Sequence, residues 1–167
     1  MIIPIIKVSF ATYFESTAMK RINEYKKLFN VTGTIDLKEL KTSYRNLVKE
    51  WHPDKFQAGN PLAEEAEIKS QQIIDGYHFL VSIAPETKAA NLEEYNATIN
   101  ESGIADFKHK GLTLEVTFQD GSVYEYFGVT RSLYIKFVNA DKPLRFAKRN
   151  IFHTFLYRKS KRAEVAV

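Results

Sequence analysis

The chain of 167 residues contains no cysteine. Disulfides and thiolate-held zinc are therefore excluded, and the absence fits a reducing compartment. Long apolar runs are missing too. The N-terminal stretch Met1 to Ile6 stops at Lys7. That is far short of the roughly 20 residues that cross a bilayer, and no small-residue cleavage site follows it. A cytoplasmic protein without membrane contact is expected. The four histidines are His52, His78, His109 and His153; none is paired at metal-ligand spacing. There is no glycine-rich phosphate loop and no nucleophile elbow. Glu64, Glu65 and Glu67 read as a solvated helix face. No metal, no cofactor and no enzymatic activity are expected.

The remaining composition is that of an ordinary globular protein, with 44% hydrophobic and 26% charged residues. Charge is unevenly spread. Residues 1–100 hold 12 Lys and Arg against 13 Asp and Glu, whereas residues 101–167 hold 12 against 7. From Leu144 to Arg162 there are seven basic residues and no acidic one. Two units with different partners are expected.

The first unit reads as helical. Ile22, Tyr25, Leu28 and Phe29 recur at helical spacing over Thr17–Phe29, with Ser16 or Thr17 as cap. Val31 to Thr34 is a break with Gly33 as its pivot. Thr34 stands before the next helix, with Asp36 in its first turn. Leu37, Leu40, Tyr44, Leu47, Val48 and Trp51 then form one apolar stripe. Lys38, Lys41, Arg45 and Lys49 form a second, cationic stripe. Pro53 stops the helix, because proline disfavours helical geometry in the residue before it. The stop reads His52-Pro53-Asp54. A loop through Gly59 leads to Pro61, suited to a first helical position. The third helix points Leu62, Ala66, Ile73, Tyr77 and Leu80 inward and ends near Pro85. Glu86 to Ile99 forms one more short helix.

The run TSYRNLVKEWHPDKF, followed by AEEAEIKSQQIIDGYHFL, resembles the J-domain of DnaJ-type co-chaperones over about residues 22–98. In that family the second and third helices form an antiparallel hairpin with His-Pro-Asp in the connecting loop. The first helix, ending here Leu28-Phe29-Asn30-Val31, stands where the family has a tyrosine-rich segment ending Leu-Gly-Val. Ser70 replaces a phenylalanine the family usually buries, and Lys88, Glu93, Glu94 and Tyr95 stand in place of its compact basic motif. The resemblance implies that a DnaK-type ATPase binds His52, Pro53 and Asp54. Lys38, Lys41, Arg45 and Lys49 would attract an acidic surface on it. On its own, each feature has a plainer reading: a helix stop and a solvated face.

The second unit reads as strands. Leu112, Leu114, Val116 and Phe118 alternate with Thr113, Glu115 and Thr117, a half-buried strand. Asp120-Gly121 is a tight turn, and Val123 to Phe127 return. Ile104 to Phe107, turning through Lys110-Gly111, adds a third strand. Thr130 caps a helix that buries Leu133, Phe137 and Val138. Phe146, Ile151, Phe155 and Tyr157 interleave with cations. The run TLEVTFQDGSVYEYFGV, with RFAKRNIFHTFLYRK behind it, is similar to the KTSC domain over roughly residues 101–159, its Tyr-x-Tyr matching Tyr124-Glu125-Tyr126. RNA contact is what that family's context implies. Tyr124, Tyr126, Phe155 and Tyr157 are the candidates to stack on bases. Arg145, Lys148, Arg149, Arg158 and Lys159 are the candidates to meet phosphates. Strand aromatics are more often core.

The expectation is an α+β protein. Residues 20–98 form a J-domain-like helical hairpin, residues 101–160 a small antiparallel sheet packed on one or two helices, and residues 161–167 a basic tail. The functional expectation is an atypical J-domain co-chaperone that stimulates a DnaK-type ATPase, its C-terminal unit choosing a client or location. The alternative is an RNA-binding protein with a helical scaffold.

Overall fold

The computed structural model describes residues 20–57 and 59–160. The caps read at Ser16 and Thr17, the start of the first helix and the tail 161–167 lie outside them. The protein is α+β. Its contacts divide it into two compact units, with boundaries between Arg21 and Ile22 and between Tyr95 and Asn96.

Helix α1 covers residues 20–28 and from Ile22 on belongs to the unit of residues 22–95. It ends in a hydrogen-bonded reversal. Asn30 takes φ 54, the Val31 amide donates to the Lys26 carbonyl, and the Asn30 amide donates to that of Lys27. This is the left-handed cap that glycine or asparagine supplies. The stop is therefore Asn30, ahead of Gly33.

Helix α2 spans Leu37–Trp51. Its cap is Asp36, not Thr34: the Asp36 carboxylate accepts from the Glu39 amide at 2.8 Å, satisfying a donor that the first turn leaves open. Of the apolar stripe only Leu40 is fully buried; the other five members are half-buried.

Helix α3 spans Ala63–Ile83. It starts after Pro61, which sits in the preceding turn. Leu62 is 47% exposed instead of inward. Ala66, Ile73, Phe79, Leu80 and Ile83 carry the buried face. Tyr44 of α2 stacks on Tyr77 of α3, 4.1 Å between ring centres. Near the other end, Trp51 meets Lys69. Residues late in α2 thus face residues early in α3, so the pair is antiparallel. The single helix expected over Glu86–Ile99 is two, α4 (Pro85–Ala90) and α5 (Leu92–Glu101), separated at Asn91.

The second unit, from Asn96 on, is built on a four-stranded antiparallel sheet in the order β1-β2-β3-β4. The strands are Ile104–Lys110, Thr113–Phe118, Val123–Phe127 and Leu156–Lys159. Gly121 closes the β2–β3 turn at φ 85, a left-handed conformation that glycine enters without strain. β4 was not expected: Leu-Tyr-Arg-Lys is short and carries no apolar alternation. β3 is covered on both faces, with Val123, Tyr124, Tyr126 and Phe127 all buried. Two helices follow it, α6 (Arg131–Val138) and α7 (Pro143–Ala147), then a π-helical turn Lys148–Phe152. The Thr130 hydroxyl accepts from the Leu133 amide at 3.3 Å and caps α6. Phe137 is buried as expected and Leu133 half-buried, but Val138 is 42% exposed. Phe152 from the π-turn packs on Tyr126 at 5.1 Å and Phe118 at 5.6 Å.

A close approach lets α1 meet α3. A methyl group on Gly76 would stand 2.7 Å from a Tyr25 ring carbon and 3.0 Å from one of Phe29. Tyr25 is itself held against Phe79 at 5.4 Å. Gly76→Ala gains about 1 kcal/mol of helix propensity but overpacks this contact at a cost of about 1–3 kcal/mol. We expect a net loss of stability, read as a lower urea midpoint. A raised midpoint would show that the two rings move aside freely.

Candidate functional site

The tip of the α2–α3 hairpin is a short, internally bonded turn. The residue before Pro53 must leave the helix, and His52 does so at φ −63, ψ 128. Pro53–Lys55 then form a 3₁₀ turn. The Lys55 amide donates to the His52 carbonyl at 3.0 Å and the Phe56 amide to the Pro53 carbonyl at 2.9 Å. The Asp54 amide donates to His52 Nδ1 at 3.3 Å. With Nδ1 accepting, the neutral imidazole carries its proton on Nε2, which remains a donor. The Asp54 carboxylate lies 3.4 Å from the same Nδ1, and its side chain is 89% exposed. The tip therefore offers an outward carboxylate and a half-exposed imidazole on a backbone stiffened by proline.

The expected cationic residues Lys38, Lys41, Arg45 and Lys49 are all exposed. Their spacing puts them along one side of α2. Among the described residues none of the four is ion-paired, so their charge faces solvent. Below the tip, the Trp51 ring stacks on Phe56 at 6.0 Å, and the Lys69 ammonium lies 4.5 Å from its centre. Phe56 and Lys69 were not singled out from the sequence. Helical periodicity marks Trp51 but cannot show which side chains of a loop and a neighbouring helix reach it.

The second candidate surface is dispersed by the structure. Tyr124 and Tyr126 are 2% and 0% exposed. Enclosed rings have no face to offer a base, so these two stacking candidates are core. Phe155 and Tyr157 are half-buried, and burial pushes the Tyr157 phenol above its ordinary pKa. Arg158 pairs with Glu125, its cross-strand neighbour, inside the sheet. Lys148 Nζ donates to the Asn100 carbonyl at 3.3 Å, at the C-terminal end of α5. Arg145, Arg149 and Lys159 remain exposed.

Another polar cluster, within the second unit, ties Thr98 and Ser102 to the β2–β3 turn. The Thr98 hydroxyl donates to Asp120 at 3.0 Å and the Ser122 amide donates to it at 2.8 Å. The Asp120 amide donates to the Ser102 hydroxyl at 3.1 Å. Burial pushes the Asp120 carboxyl up. The Ser122 and Thr98 bonds, with the charge of Lys159, outweigh that and hold it below the ordinary aspartate range. The cluster is a structural tie. Among the described residues, no group of three or more His, Asp or Glu side chains could hold a metal, and no helix is long and apolar enough to cross a membrane.

Residues 100–155 match the KTSC domain. The match takes in β1 to β3, α6, α7 and the π-turn, about a third of the chain. Its Tyr-x-Tyr pair, Tyr124 and Tyr126, belongs to the hydrophobic centre of this KTSC unit. Part of the chain is also similar to DnaJ proteins. The chaperone protein DnaJ of Anaplasma marginale (strain Florida) is 33% identical over 85 residues, 51% of this chain and 21% of that protein. DnaJ of Francisella tularensis (strain SCHU S4 / Schu 4) is 33% identical over 78 residues, 46% of this chain and 19% of that one. A DnaJ protein homologue of Arabidopsis thaliana is 36% identical over 62 residues, 37% and 12% of the two chains. The chain thus spans about a fifth or less of the length of these relatives. No solved structure shows significant similarity to it.

Truncating Tyr126 tests its place in the KTSC core. Tyr126→Ala should cost about 3–5 kcal/mol of stability, the loss typical of large buried aromatics. A variant that melts like the parent would mean that the ring is not enclosed.

Proposed function

We propose that this protein is a J-domain-like co-chaperone that stimulates ATP hydrolysis by a DnaK-type chaperone. The observation that carries the reading is His52-Pro53-Asp54 at the exposed tip of an antiparallel helical hairpin. The exposed cations along α2 and the partial similarity to DnaJ proteins support it. In this reading the chain does no covalent chemistry. Asp54 pairs with a cation on the ATPase, His52 hydrogen-bonds through Nε2, and Pro53 keeps both in place. Lys38, Lys41, Arg45 and Lys49 steer the encounter with an acidic surface. The KTSC unit selects a client or a location, and the protein works in the cytoplasm beside its ATPase.

Steady-state ATP hydrolysis by a DnaK-type chaperone, with and without the protein, is the direct measurement. The wild-type chain should accelerate hydrolysis. His52→Gln and Asp54→Asn should each return it to the unstimulated rate while leaving the melting temperature nearly unchanged, since exposed tip residues carry little folding energy. Full activity of His52→Gln would sink the assignment.

The charge reversals Lys41→Glu and Arg45→Glu, made together, should lower the association rate with the ATPase by about tenfold or more at low salt. The deficit should shrink as salt rises, because exposed charges are screened over about 8 Å at physiological ionic strength. Stopped-flow binding across a salt series reads both quantities. An unchanged rate at low salt would leave that side of α2 as plain solvated surface.

A further inference from the structure

We infer that Lys69 is a positioning residue for the His52-Pro53-Asp54 loop, acting through the ring of Trp51. The inference rests on the co-chaperone reading for its functional consequence, but not for its structural one.

The loop is bracketed by two aromatic rings. Trp51 is the last residue of α2, and Phe56 follows the 3₁₀ turn directly. Their rings stack nearly parallel, 14° apart at 6.0 Å. The contact draws together the two ends of the four residues between them, 52–55. Among the described residues three hydrogen bonds hold the turn, and His52, Pro53, Asp54 and Lys55 are all exposed. Packing from within the loop therefore contributes little to its order.

The bracket still needs an anchor in the body of the hairpin, and Lys69 supplies one. It projects from the second turn of α3 and sets its ammonium 4.5 Å from the centre of the Trp51 ring. A cation over an indole face is the most favourable of the aromatic pairings. Trp51, Phe56 and Lys69 are each half-buried, so water screens this attraction less than at a fully exposed pair. The chain of contact runs from α3 through Lys69 to Trp51, then to Phe56, and so to both ends of the tip. Lys69 differs in this from Lys38, Lys41, Arg45 and Lys49, whose charges face solvent. Its charge is spent inside the hairpin, on the geometry of the loop.

The full chain provides its own reporter, because Trp51 is its sole tryptophan. Lys69→Gln removes the cation at nearly equal helix propensity. Lys69→Arg keeps a cation that also stacks on indole. In the free protein, Lys69→Gln should shift the Trp51 emission. It should also lower the backbone order parameters of Asp54 and Lys55 from the rigid range, about 0.85, toward the flexible range below about 0.6. The melting temperature should hardly move, and Lys69→Arg should restore both readouts.

With a DnaK-type ATPase, Lys69→Gln should raise the concentration for half-maximal stimulation several-fold. The maximal rate should stay the same, since a loop that must be ordered on binding weakens affinity. Unchanged emission and order parameters in Lys69→Gln would overturn the inference whatever the ATPase does. Loss of the tip's order together with a wild-type chain that fails to stimulate any DnaK-type ATPase would overturn the co-chaperone reading and leave the positioning role standing.

Discussion

Pro53 is the constraint on which the hairpin depends. A proline cannot follow a helical residue comfortably, so α2 ends at Trp51 and His52 turns extended. That one break sends the chain back along α2, brings Tyr77 onto Tyr44 and Lys69 over Trp51, and leaves the tripeptide outside the packed faces. The same ring that freezes φ at the tip also removes a backbone donor there. Asp54 and Lys55 use their amides on His52 instead. A small number of local bonds then presents two polar side chains without burying either.

The KTSC unit solves a different problem. Its sheet is small, yet β3 is covered on both faces. Aromatic rings fill one of those faces, linked in series from Tyr124 to Phe118, to Phe152 and to Tyr126. The π-turn brings Phe152 there, and β4 follows it to pair with β3. A turn with one extra residue per cycle re-aims the side chains after it, and here it delivers the chain to the sheet edge.

The two units also spend their cations differently. Along α2 the four basic side chains are exposed and, among the described residues, not ion-paired. In the KTSC unit Arg158 answers Glu125 across the sheet, Lys148 caps the end of α5, and Lys159 helps hold Asp120 ionised. A basic run in a sequence is therefore not yet a basic surface. What decides is whether the fold supplies acceptors nearby.

Much of this is legible in the sequence alone. Apolar periodicity located α2, α3 and the β2–β3 hairpin, because each buries one face and spacing is what burial demands. Pro53, Gly121 and Thr130 marked their turns and caps through backbone chemistry that is local by nature. The His-Pro-Asp tip and the cationic side of α2 could be read for the same reason, since all their residues lie within 17 positions of one another, from Lys38 to Asp54. Tertiary structure decided the rest. Whether Tyr126 is core or surface depends on Phe152, 26 residues away. β4 exists because β3 has an edge to offer, not because Leu-Tyr-Arg-Lys prefers a strand. Asp36 took the cap from Thr34 through a hydrogen bond that both residue types could make. The reach of Lys69 to Trp51 arises only when two helices lie side by side. Sequence determines what each segment can bury and where it must turn; which distant partners meet is set by packing, where every side chain competes for the same space.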